Sequence, residues 1–139
     1  MSEWGEIVKQ VEARAAGRCE YCRMHQALQG ATFHVEHVRP SSRGGGSTLD
    51  NLAWACPGCN LRKSDRIDAT DPESRSVVPL FNPRQDDWNE HFQFAGYHVT
   101  GRTPIGRATV VALDLNHPRR ILIRKAEELL GLSAHGDVR

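Results

Sequence analysis

LDNLAWACPGCNLRK, residues 49–63, decides the reading of this chain. Its centre, Leu52–Ala55, is an apolar run of strand length, too short for a helix of its own. Pro57 stands where its fixed φ opens a helix, and GCNLRKSDRI continues to about Ile67 without a breaker. The stretch predicts a short strand over 52–55 and a helix from Pro57 to about Ile67, with Cys56 and Cys59 at the junction.

Moving upstream, PSSRGGGSTLDN, residues 40–51, is a turn-rich loop, and FHVEHVRP, residues 33–40, closes a strand expected over 31–36. Phe33 and Val35 suit one face of that strand and His34 and Glu36 the other, while His37 breaks the alternation. The order is strand, loop, strand, helix. Gly44, Gly45 and Gly46 serve either a close backbone approach or plain flexibility.

Further upstream lie Cys19 and Cys22. All four cysteines fall in C-x2-C pairs, and none is left over. A two-residue spacer brings both sulfurs of a pair onto one tetrahedral ion, so Cys19, Cys22, Cys56 and Cys59 predict a structural zinc site. Disulfides are the competing use, disfavoured in a reducing compartment. Either linkage ties residues 19–22 against residues 56–59 and braces the long loop between them.

A chain of 139 residues suffices for one core, which predicts a single unit over 1–139, with a core module at about 14–70 and a C-terminal extension at about 77–131. No apolar run approaches the roughly 20 residues that cross a bilayer. MSEWGEIVKQVEARAAGRC is charged and lacks the apolar segment of a secretion signal, so the expected compartment is the cytoplasm, with no membrane partner. The formal net charge of +1 argues neither for nor against a polyanion. Between Val38 and Ile67, however, Arg39, Arg43, Arg62, Lys63 and Arg66 face only Asp50 and Asp65, which is either a phosphate footprint or a solvated face.

Trp4, Ile7, Val8 and Val11 recur at helical spacing over 3–16, with Gly17 as a C-terminal cap. Downstream, 68–76 reads as polar linker and 77–101 as short extended pieces. Trp88 and Phe92 are most simply core, and His91 and His98 structural. Thr103 and Pro104 open a helix with an apolar stripe at Ile105, Val110, Ala112, Leu113 and Leu115. A last helix over 118–130, stopped by Gly131, is expected to turn Ile121, Leu122, Leu129 and Leu130 inward, and the tail over 133–139 to fray.

Taken together, RCEYC (18–22), HVEHVRPSSRGG (34–45) and LDNLAWACPGCNLRK (49–63) resemble the HNH endonuclease family, the ββα-metal nucleases, over about Arg18 to Arg66. The resemblance implies an α+β fold: a ββα-metal module braced by a four-cysteine structural zinc, with an N-terminal helix and a mixed C-terminal extension ending in helices. It implies a metal-dependent DNA endonuclease or nickase with a one-metal mechanism; a zinc-braced nucleic-acid binding module without turnover is the alternative. Glu36 and Asn60 match the oxygen ligands of a catalytic Mg2+ or Mn2+, His37 the general base, and Asn51 the central asparagine that orients the imidazole or braces the loop. Neighbours on a strand point to opposite sides, so Glu36 and His37 would reach one phosphodiester from different directions. Glu36 stands where aspartate is commonest, and its extra methylene moves the carboxylate outward. His34 is a further ligand, a phosphate contact or a structural histidine, and Lys63, Arg39, Arg43, Arg62 and Arg66 are phosphate contacts or solvated charges.

Overall fold

The computed structural model describes residues 2–30 and 32–134. Ala31, which opens the strand expected over 31–36, and residues 135–139 of the tail lie outside this range.

The predicted order is present. Helix α1 (Glu3–Ala15) is capped by Ser2, whose hydroxyl accepts from the Gly5 amide, and ends where Ala16 turns left-handed. Strands β1 (His34–His37) and β2 (Leu52–Ala55) pair antiparallel, His34 opposite Ala55 and His37 opposite Leu52. Every residue of β2 is buried, as its continuous apolar run requires. Helix α2 (Pro57–Lys63) starts at the expected proline but stops short of Ile67, because Ser64 takes a positive φ of 50°.

The extension is more ordered than a linker. Asp68–Thr70 (β3) pairs with Val77–Pro79 (β4) in a hairpin. Its turn is organised by the Asp71 carboxylate, which accepts from the amides of Glu73 and Ser74 and, through both oxygens, from Arg107 at 2.9 Å each. A polar composition concealed this strand, since its stability comes from a buried carboxylate and a distant arginine. One turn of helix, α3 (Trp88–His91), precedes the hairpin of β5 (Phe92–Ala95) and β6 (His98–Gly101). Helix α4 (Pro104–Ala112) is capped by Thr103 as expected, and α5 (Pro118–Leu129) closes the described chain.

The apolar core is continuous from Val11 through Tyr21, Phe33 and Trp54 to Phe81, Trp88, Phe92 and Leu115, so residues of the extension complete the walls around the first hairpin. Trp88 and Phe92 are core, as expected, with ring centroids 5.0 Å apart. His91 is structural, its Nδ1 2.6 Å from the Thr103 hydroxyl. The last helix departs from expectation. Leu122, Leu129 and Leu130 are exposed, and α5 buries Arg120, Arg124 and Glu127 instead. No helix among the described residues is long and apolar enough to cross a membrane.

Candidate active site and metal centre

The four sulfurs come together. Cys19, Cys22, Cys56 and Cys59 are buried, unpaired by disulfides, and offer ligand atoms all within 4.8 Å of one another. Cys22 Sγ lies 3.8 Å from Cys56 Sγ. Metal–sulfur bonds of about 2.3 Å at the tetrahedral angle put sulfurs about 3.8 Å apart, so the cluster fits a zinc ion. Hydrogen bonds from Cys19, Cys22 and Cys59 hold the Cys56 thiol well below the ordinary thiol range, whereas burial pushes Cys19 up. A soft divalent cation is what allows four buried thiols to lose their protons together. Cys56 is also the N-cap of α2, its sulfur accepting from the Cys59 amide at 3.3 Å, so one residue serves the metal site and the helix start.

The β1–β2 pair carries the remaining candidates. Glu36 is 5% exposed, Lys63 is 2% exposed, and Lys63 Nζ sits 2.6 Å from Glu36 Oε1. Tyr21, between the first two cysteines, donates its hydroxyl to Glu36 Oε2 at 2.7 Å. Burial pushes the Glu36 carboxyl above its ordinary range, against the opposing pull of Lys63 and Tyr21. Lys63 thus faces inward rather than toward a phosphate: it joins the last turn of α2 to β1 and also donates to the His37 carbonyl at 3.3 Å. Asn60 lies one turn earlier on the same helix, half-buried, and its side chain makes no hydrogen bond among the described residues.

His37 points the other way. Its Nε2 is 2.8 Å from the Ser47 hydroxyl, and the ring is half-buried at the end of β1. Ser47 was not singled out from the sequence; a serine directly after three glycines in the loop facing His37 was the only local cue. Asn51 braces that loop, its Oδ1 accepting from the Arg39 amide at 2.9 Å and its Nδ2 donating to the carbonyls of Arg39 and Gly46 at 3.0 and 2.8 Å. The glycines divide their roles: Gly44 is left-handed with φ 85°, a Cβ on Gly45 would lie 1.8 Å from the Arg39 carbonyl oxygen, and Gly46 has open space. His34 is exposed at the start of the strand.

The arginines form one run. Arg39 donates to the Arg43 carbonyl, Arg43 to the Asp65 carbonyl, and Arg66 to the carbonyls of Arg62 and Ala112. Arg62 lies 3.7 Å from Asp114. Each guanidinium has five N–H donors, so these contacts fix the stems and leave donors facing solvent.

This arrangement has relatives. Residues 19–66 match the HNH endonuclease family. The Septu protein PtuB of Bacillus thuringiensis is 25% identical over 125 residues, covering 87% of this chain and 46% of that protein, so the chain spans about half the length of that curated relative. No solved structure matches. The hairpin, the short helix and the four clustered cysteines thus all lie within the segment, Cys19 to Arg66, that matches the HNH endonuclease family.

Proposed function

We propose that this chain is a metal-dependent DNA endonuclease or nickase in which His37 is the general base. The observation that carries this reading is the presentation of His37: its imidazole is held by Ser47 at the mouth of a loop that Asn51 ties down, next in sequence to the Glu36 carboxylate. An imidazole with a free nitrogen lone pair takes the proton of a water attacking a phosphodiester, and the Ser47 contact sets the ring's orientation. The exposed donors of Arg39, Arg43 and Arg66 supply the sequence-independent attraction for the phosphate chain.

Glu36 and Asn60 are the residues to hold a catalytic Mg2+ or Mn2+. A carboxylate and a carboxamide oxygen suit a hard cation, with solvent and phosphate oxygens completing the shell. Such an ion supplies Lewis-acid stabilisation of charge building on the phosphate and the leaving oxygen. In the present arrangement Lys63 occupies the Glu36 oxygen that faces α2, so cation binding at Glu36 requires the ammonium to yield. The four cysteines hold zinc and fix Tyr21, and through it Glu36, relative to the hairpin.

The test is cleavage of supercoiled plasmid with Mg2+ or Mn2+. Conversion to open-circular or linear DNA is expected, falling about 10²- to 10⁴-fold in His37→Ala. Cleavage that persists in that variant, or none with any divalent ion, refutes the assignment; salt-sensitive binding without cleavage would mark a module without turnover.

A further inference from the structure

Helix α5 poses a problem of its own. It leaves Leu122, Leu129 and Leu130 in solvent and buries Arg120, Arg124 and Glu127, at the spacing of one helical face. Two of these charges have oxygen or amide partners, although Arg124 Nε is itself buried without one. Arg124 donates to the carbonyls of Tyr97 and Leu115 at 2.9 and 2.7 Å, and Glu127 Oε2 accepts from the His25 amide at 2.6 Å. Arg120 differs. It is 5% exposed, makes no ion pair with a carboxylate among the described residues, and donates through Nη1 to Cys59 Sγ at 3.3 Å. Its Nη2 is buried without a hydrogen-bond partner and is packed so closely on Gly58 that a Cβ there would lie 2.5 Å from it.

A buried guanidinium needs an opposite charge, and thiols do not provide one. Thiolates do. Four thiolates around a divalent ion form a dianion, enclosed here in a buried site where it too needs compensation. We propose that Arg120 is the counter-charge of this metal–tetrathiolate, so that α5 docks on the cysteine knuckle because the knuckle holds a divalent ion, and in docking shields Cys59 and slows loss of the ion. The inference rests on the four-cysteine zinc reading. It extends that reading beyond residues 19–66 to a helix outside the matched segment. The C-terminal segment follows the same track: Glu127 of α5 binds the backbone just past Cys22, and the carbonyl of Leu132, three residues beyond the helix, accepts from Arg18, beside Cys19. The strap therefore touches both halves of the knuckle.

The experiment compares full-length zinc-loaded protein with Arg120→Gln, Arg120→Lys and a remote control, Asp71→Asn, which breaks the pair with Arg107 far along the extension. Zinc transfer to a chromogenic chelator is followed by absorbance, cysteine alkylation by iodoacetamide is located by mass spectrometry, and exposure of α5 is read by limited proteolysis. Arg120→Gln is expected to release zinc about 10- to 100-fold faster, the range typical of lost partners of metal ligands, with Cys59 alkylated ahead of the other cysteines. Arg120→Lys, which keeps the charge and loses the fork, should fall between. Asp71→Asn should release zinc at the wild-type rate. Wild-type release and Cys59 protection in Arg120→Gln overturn the proposal, as does equal acceleration in Asp71→Asn, which would mark a general loss of stability. Should Arg120→Gln fail to fold, the wild-type chain decides: α5 must become protease-sensitive as zinc is withdrawn, and protection that outlasts the metal overturns the coupling. A folded wild-type chain without a metal at the four cysteines refutes the zinc reading itself, and is distinguished from failure of the Arg120 role by metal analysis before any variant is made.

Discussion

Replacing Lys63 by methionine, which keeps most of the volume of the side chain and removes the charge, tests the inner framework of the site. Lys63 Nζ and Glu36 Oε1 are 2.6 Å apart and almost wholly enclosed. At an effective dielectric of about 20, that separation corresponds to an attraction of about 6 kcal/mol, and taking both ions out of water opposes it by several kcal/mol each. The pair is thus worth little against a well-packed apolar substitute, but removing one partner strands a buried charge and costs about 3–5 kcal/mol. That is a large fraction of a typical stability of about 5–15 kcal/mol. The Glu36→Gln/Lys63→Met double variant keeps an acceptor for the Tyr21 hydroxyl and should lie within about 2 kcal/mol of wild type. Urea unfolding of zinc-saturated protein, followed by fluorescence of the buried Trp54 and Trp88, gives all four corners of the cycle. A loss below about 1 kcal/mol in Lys63→Met, the scale of a surface ion pair, together with no coupling to Glu36, would refute this account.

Gly45→Ala drives a methyl group into the Arg39 carbonyl and should loosen the loop that holds Ser47 against His37, lowering both the melting temperature and plasmid cleavage, whereas Gly46→Ala should change neither; equal effects of the two would contradict the packing described. The Arg107 guanidinium holds the Asp71 carboxyl well below its usual range. A group depressed in this way adds stability above its unfolded pKa, near 4, and loses that contribution as the pH falls toward the folded value. Asp71→Asn should therefore melt below wild type at pH 7, with the gap narrowing at pH 3; a gap independent of pH would rule this out. Cys22→Ser should abolish stoichiometric zinc and the cooperative unfolding transition, both read from metal analysis and near-UV circular dichroism, and a variant that retains one zinc per chain would show that Cys22 is not a ligand.

The parts of the fold legible in the sequence are those set by neighbours along the chain. The apolar run of β2, the helix-opening Pro57, the N-cap Thr103 and the paired cysteines each act within a few residues. Elements stabilised by distant partners were hidden. The β3–β4 hairpin is organised by Asp71 and by Arg107, 36 positions away, and its residues look like polar linker without that arginine. Helix α5 was read by the rule that apolar residues turn inward, and it breaks the rule because the surface beneath it is made of sulfur and backbone carbonyls. Lys63 reads from the sequence as a phosphate contact or a solvated charge, and its burial against Glu36 is hidden because nothing local shows that α2 folds back so that one side chain reaches the other. Asn51 carried two readings, and the structure shows the brace.

Trp88 donates its indole N–H to the carbonyl of Tyr21 at 2.9 Å, and Arg84 pairs with Glu20, so residues more than 60 positions downstream grip the first cysteine pair. This has a practical consequence for protein engineering. The signature between Cys19 and Arg66 is not a portable cassette: grafted onto another scaffold, it would arrive with Tyr21 and Glu20 bereft of their partners, and the graft would need to bring Arg84, Trp88 and the terminal strap along with it.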